Sequence, residues 1–266
     1  MNLWNRYGFV VFNHSGPEPA DLFDLPDGNV FGPSAASVLL VPGETYSTYL
    51  AINDISINSN VVDLVYDKTH TVALAAVGTL TDIETSPTTK NFTLSFGLPG
   101  NSTLIDGYYR LRISLIAGGP IYSNRLWLNK SSYQAISTLF SYRNTRPIGP
   151  IAYDLASMDD FRNVLRLKCY ADLPKTDTSV EEYERITTGV KVMVEAHAHQ
   201  YVAFHTPNTD PIGREGWRTL LLHKELLING FPYSLKTGYS EGEGNSMLAT
   251  GSFEVWESAY SIVNRC

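Results

Sequence analysis

The chain has 266 residues, of which 43% are hydrophobic and only 18% charged, and its formal net charge is −7. That length and apolar content allow two compact domains with buried cores. The acid excess excludes a protein that grips duplex nucleic acid by neutralising phosphates, and the longest apolar runs, such as 35–41, are too short to cross a bilayer.

The N-terminal stretch MNLWNRYGFVVFNHSG lacks a basic start followed by a long apolar run and a small-residue cleavage site. No secretion signal is read there, and synthesis in a reducing cytosol is expected. The two cysteines fit that expectation, because a stapled secreted scaffold carries more in a shorter chain. Cys169 lies in an apolar strand and is expected to be a buried thiol, with a single bridge to Cys266 as the alternative.

A strand is expected over 7–13. Residues 21–34, DLFDLPDGNVFGPS, form a Pro/Gly-rich loop or arm. Asp21, Asp24 and Asp27 there are spaced by three, not alternately as in a calcium loop, so a solvated turn is expected. Further strands are expected over 37–42, 46–57, 61–66, 71–77 and 91–96, separated by Pro and Gly turns.

The stretch 107–129, GYYRLRISLIAGGPIYSNRLWLN, reads as one β-hairpin. Tyr109, Leu111, Ile113 and Leu115 alternate with Tyr108, Arg110, Arg112 and Ser114, giving one buried and one wet face. This spacing predicts an N-terminal arm plus an immunoglobulin-like β-sandwich over 1–130. The junction falls at 129–134.

Residues 131–266 are expected to form a second β-rich domain. Its strands are predicted over 136–143, 164–170, 189–204 and 251–263, with 174–185 as an exposed polar excursion. A helix is predicted near 214–224, with Trp217, Leu220 and Leu221 on one side. Asn229-Gly230 carries a tight-turn signal. The expected class is therefore mainly β, with two sandwich-like domains, the second holding one short helix.

Three patterns raise the question of chemistry. Glu195, His197 and His199 alternate on one strand face, with His205 close behind, and imidazoles so placed can ligate zinc, iron or nickel. The simpler alternative makes them the wet complement of a buried face formed by Val190, Val192, Val194, Ala196 and Ala198. Gly238-Tyr239-Ser240-Glu241-Gly242 matches a nucleophile-elbow pattern, yet no helix follows and neither Asp nor His occurs after Ser240. A Gly-rich loop is expected instead. No phosphate-binding, dinucleotide or zinc-protease motif occurs, so no catalytic residue and no cofactor is expected.

The YYRLRISL…GGPIYSNRLWL hairpin is followed by ISTLFSYRN, FRNVLRLKCYADLPKTDTSVEEYERITTG, WRTLLLHKELL and INGFPYSLKTGYSEGEG. In this order the segments, over roughly 107–260, resemble virion proteins of tailed phages and prophages of Bacteroidetes-type hosts, from the tail or baseplate region. The resemblance implies a non-enzymatic virion subunit, made in the host cytoplasm and assembled with copies of itself and other virion proteins into a symmetric ring. Tyr108, Tyr122, Trp127 and Tyr133 are candidate contact residues, and 13–34 is expected to order on assembly. Two alternatives stand beside this expectation. One is a glycan-binding β-sandwich, for host adsorption, using surface indoles among Trp4, Trp127, Trp217 and Trp256. The other is a metal-dependent enzyme built round His197 and His199.

Overall fold

A computed structural model describes residues 3–4, 8–13, 38–53, 57–85, 89–115, 119–131, 133–148, 151, 153–244 and 249–265. The calcium-loop pattern at Asp21–Asp27, most of the 13–34 arm and Cys266 lie outside them.

The protein is mainly β, as its sequence leads one to expect. The first half holds β1 (Leu3–Trp4), β2 (Phe12–Asn13), β3 (Val38–Leu40), β4 (Thr45–Asn53), β5 (Ile57–Tyr66), β6 (Val72–Thr85), β7 (Thr89–Gly97), β8 (Gly107–Leu115), β9 (Ile121–Ser123) and β10 (Leu126–Leu128). A four-residue helix α1 (Tyr133–Ile136) precedes β11 (Ser137–Arg143), β12 (Asn163–Lys168), β13 (Tyr170–Ala171), β14 (Lys175–Glu184) and β15 (Lys191–Thr209). Helix α2 (Pro211–Leu221), β16 (Glu225–Ile228), β17 (Phe231–Gly244) and β18 (Ala249–Arg265) complete the chain.

Eight of these strands close on themselves. The pairings run β5–β8, β8–β10, β10–β3, β3–β12, β12–β4, β4–β7, β7–β6 and back from β6 to β5. Closure removes the free edges that would otherwise invite non-specific pairing. Where two sandwiches were expected, the structure has this ring and a second antiparallel sheet growing from it in the order β12, β11, β16, β17, β18, β15, β14. Strand β12 belongs to both, so the ring draws on both sides of the junction expected at 129–134.

The ring is thinnest at β12. Single register pairs join it to its neighbours there, Leu167 with Val38 and Val164 with Ser47. Side chains reinforce that seam. Ser47 Oγ donates to the Arg162 carbonyl at 2.7 Å, and Asn163 Oδ1 accepts from the Tyr49 N–H at 3.0 Å. Arg166 grips Glu44 through two bonds of 2.8 and 2.5 Å, the fork geometry that suits a carboxylate best.

The 107–129 hairpin forms as its alternation predicts, and Tyr109, Leu111 and Ile113 are buried. Its other face departs from expectation. Arg110 is 1% exposed, its Nε 2.5 Å from Asp67, whose second oxygen accepts from Arg125 at 2.8 Å. A strand arginine that looks wet in the sequence is thus buried against a carboxylate from the β5–β6 turn.

Helix α2 begins three residues before the predicted start. Asp210 caps it by accepting from the Gly213 N–H at 2.6 Å, and Pro211 supplies a pre-set first turn. Trp217, Leu220 and Leu221 are buried as predicted. The indole packs against Phe9, Phe140 and Phe253, with ring centroids 5.2–5.3 Å away. Asn229 and Gly230 turn β16 into β17 with φ of 49° and 87°, the left-handed pair that matches hairpin twist.

Candidate functional site

Strands β14 and β15 form a ribbon whose base joins β18, and together they make a three-stranded arm. The polar excursion expected over 174–185 is β14, exposed at every residue. The predicted buried face of β15 is absent at its outer end, where Val190 and Val194 are 55% and 42% exposed. Val194 is the extra residue of a bulge between the Glu181–Glu195 and Glu182–Met193 pairs. That bulge switches which face each later residue occupies.

Glu195, His197 and His199 do share a face. The imidazoles of His197 and His199 lie 6.2 Å apart and nearly parallel, and His197 Nε2 is 3.5 Å from Glu195. His205 sits apart from them, stacked on Tyr170 and 3.3 Å from Asp172. A hydrogen bond from that imidazole, reinforced by Lys175, holds the Asp172 carboxyl below its usual range. Among the described residues no three His, Cys, Asp or Glu side chains converge to hold a metal ion.

Further along the same sheet, Lys236 places its ammonium over the Tyr201 and Trp256 rings, 3.1 and 4.7 Å from their centroids, and pairs with Glu254 at 3.3 Å. The cation occupies the aromatic surface and staples β15, β17 and β18 together. Ser240 of the nucleophile-like pattern lies within β17, opposite Ser252 of β18, and not on a strand-to-helix elbow. Neighbouring Tyr239 covers Gly251 so closely that a Cβ there would fall 2.1 Å from its hydroxyl. Glu241 binds Arg214 and Arg218 of α2. The pattern is therefore spent on packing.

A buried polar chain links Asn163, Tyr153 and His223. Tyr153 Oη lies 2.8 Å from His223 Nε2, while His223 Nδ1 lies 2.8 Å from the Thr219 carbonyl. Carbonyls only accept, so Nδ1 carries the proton and Nε2 accepts from the tyrosine. Asn163 donates in turn to Tyr153. Burial pushes the His223 imidazolium down from 6.5 to about 4. Between those values the unfolded chain takes up a proton that the folded chain refuses, so stability falls as pH falls through that window. The loss by pH 4 is expected to be roughly 3 kcal/mol. Urea melts at pH 7 and pH 4.5 on the wild type and His223→Gln check this, since the variant should lose much less over the same interval.

The four predicted contact residues are scattered, Tyr108 and Trp127 on ring strands, Tyr122 on β9 and Tyr133 on α1. Tyr122 is buried and stacks on His70 with centroids 4.6 Å apart. Trp127 and Tyr133 are half-buried under Lys168 and Arg166, whose charged groups lie 5.2 and 4.9 Å from the ring centroids. Trp217 is fully buried, which removes it as a sugar platform. Tyr108 is half-buried beside Arg125, and burial pushes its phenol up to about 12. Cys169 is a free buried thiol, and burial pushes it up to about 12 as well.

Tyr108 also lines a cavity of about 510 Å³, together with Tyr66, Asp67, Lys68, Thr69, Thr71, Ile105, Asp106, Gly107 and Tyr109. Its two walls, 66–71 and 105–109, meet because Tyr66 pairs with Tyr109 across β5 and β8. Backbone bonds fix the walls in place, from Tyr66 to Thr71 at 3.0 Å and from His70 to Tyr66 at 2.9 Å. Sequence reading missed this site, since its two stretches lie far apart in the chain and neither carries a motif. Among the described residues no helix is long and apolar enough to cross a membrane. No protein family and no curated protein matches this sequence.

Proposed function

We propose that this chain is a non-enzymatic structural subunit that joins copies of itself edge to edge through the β14–β15–β18 arm, in a ring of the tail or baseplate region of a tailed-phage virion. The observation that carries assembly is the arm's two open flanks. The outer side of β14 meets no strand among the described residues, and neither does the far side of β18 beyond Glu257. A long unpaired edge is a template for another strand.

The two flanks differ, which favours head-to-tail joining over a two-fold contact. Strand β14 carries Asp177, Glu181, Glu182 and Glu184 against Lys175 alone, so β14 laid on β14 brings acids together. The end of β18, from Ser258 to Arg265, carries only the basic residue. Pairing β14 of one copy with β18 of the next leaves two further edges free, and such contacts close into rings when the rotation permits.

The virion setting rests on the resemblance over roughly 107–260. Ring and attached sheet stand for the two sandwich-like lobes of such a subunit. Other virion proteins would contact it, and its place would be the particle after synthesis in the host cytoplasm. Mass photometry of the purified protein and mass spectrometry of particles test this. Expected are masses at multiples of the 29.5 kDa protomer and the chain's presence in particles. A monomer at every concentration, missing from particles, contradicts it.

A further inference from the structure

We infer that the cavity between the β5–β6 turn and the start of β8 binds a neutral hexopyranose unit of a saccharide. This goes beyond assembly, since the pocket lies on the ring and uses neither flank of the arm. Its volume, about 510 Å³, lies within the range of roughly 300–1,000 Å³ typical of small-ligand sites.

The lining matches a sugar's two kinds of surface. Pyranose rings present C–H faces, which pack on aromatic rings, and a belt of hydroxyls, which need acceptors and donors. Tyr66 supplies the open ring, backed by the buried Tyr109 ring with centroids 5.4 Å apart, and half-buried Tyr108 extends that wall. Tyr66 is 38% exposed and Ile105 at the rim is 72% exposed. Exposed apolar groups at the mouth of a cavity gain most from an occupant that covers them.

Four other partly exposed rings are already covered by cations. Lys236 lies over Tyr201 and Trp256, Lys168 over Trp127, and Arg166 over Tyr133. Among the described residues no cation lies over the Tyr66 ring. A sugar platform thus belongs at Tyr66 and not at Trp127, Trp217 or Trp256.

Polar groups suited to hydroxyls stand beside these rings. Asp106 accepts the Lys130 N–H through Oδ1 at 3.2 Å, and its Oδ2 can accept from sugar hydroxyls. Thr69 and Thr71 bond each other at 2.8 Å, and their hydroxyls keep further accepting capacity. Asp67 at the floor is engaged by Arg110 and Arg125, so its charge is compensated. The Asp106 carboxylate and the Lys68 ammonium of the lining offset one another, and with two threonines beside them this suits a neutral sugar.

A printed array of bacterial surface glycans, followed by titration of the free mono- and disaccharides from any hit, tests the assignment. Retention of neutral glycans by the wild type is expected. Tyr66→Ala should weaken binding by about tenfold, the scale of one lost aromatic contact. Tyr66→Phe should keep it, which separates a lost ring from a lost fold. Asp106→Asn should weaken it, and Trp256→Ala should leave it unchanged. Binding of the polymer but not of the free sugar would place the ligand in an extended chain across the same pocket. Tyr66→Ala binding as tightly as wild type, or a wild type that retains no saccharide, overturns the assignment. Neither result touches assembly, which mass photometry reads separately.

Discussion

Replacing Asp67 with alanine is expected to destabilise the protein by about 3–5 kcal/mol, the scale for removing one partner of a buried ion pair. Asp67 is 6% exposed and holds Arg110, itself 1% exposed, at 2.5 Å and Arg125 at 2.8 Å. Without the carboxylate, the Arg110 guanidinium keeps its bond to the Ser123 carbonyl at 3.2 Å but loses the Asp67 charge beside it. Asp67→Asn should cost less, because an amide oxygen still accepts a hydrogen bond. The comparison is Arg112→Ala, which breaks a partly exposed pair with Asp63 and should cost roughly 1 kcal/mol or less. Urea denaturation of the three variants measures this, and equal losses for Asp67→Ala and Arg112→Ala would contradict it.

The second large effect is expected at Trp217. Trp217→Ala should cost about 3–5 kcal/mol, the usual loss when a buried ring is truncated to a methyl. The indole is fully buried where helix α2 meets Phe9, Phe140 and Phe253, so its removal leaves a void bounded by rigid rings. Collapse is obstructed at Gly216, where a Cβ would already lie 2.8 Å from the Phe9 ring. Trp217→Phe should cost less, because the indole nitrogen is buried without a hydrogen-bond partner and phenylalanine carries no such group. Circular dichroism melts test both, since tryptophan fluorescence would change with the substitution itself. Equal stability of Trp217→Ala and wild type would show that the aromatic cluster does not hold the helix.

Local signals in the sequence predict local structure well. Alternation at Tyr109, Leu111 and Ile113 gives the buried face of β8, and Asn229-Gly230 gives the β16–β17 turn. Trp217, Leu220 and Leu221 give the buried side of α2. Strands β14 and β17 escape the same reading because much of their length is exposed on both faces, so no two-residue apolar period marks them. Ring closure is illegible for another reason. It depends on single pairs of β12 with β3 and β4, reinforced by Asn163 and Arg166 reaching residues more than a hundred positions away.

The candidate sites were legible only in part. His197 and His199 do share a strand face, as their spacing predicts, but the sequence does not say that the strand stands in an arm. The pocket is invisible to motif reading, since Tyr66 and Asp106 come together only through the β5–β8 register. Likewise, nothing in the sequence says that Lys236 covers Trp256 while no cation among the described residues covers Tyr66.

Head-to-tail pairing of the arm can be read by cross-linking. Ser179 and Val263 flank His197 in one row of the arm, so a cysteine at each position, in a Cys266→Ser background, places thiols on the two open flanks. A short bis-maleimide should link the double variant into a ladder ending at one closed multimer, while each single variant stops at monomer or sparse dimer. Absence of any ladder at concentrations where the wild type is multimeric would contradict edge pairing through β14 and β18.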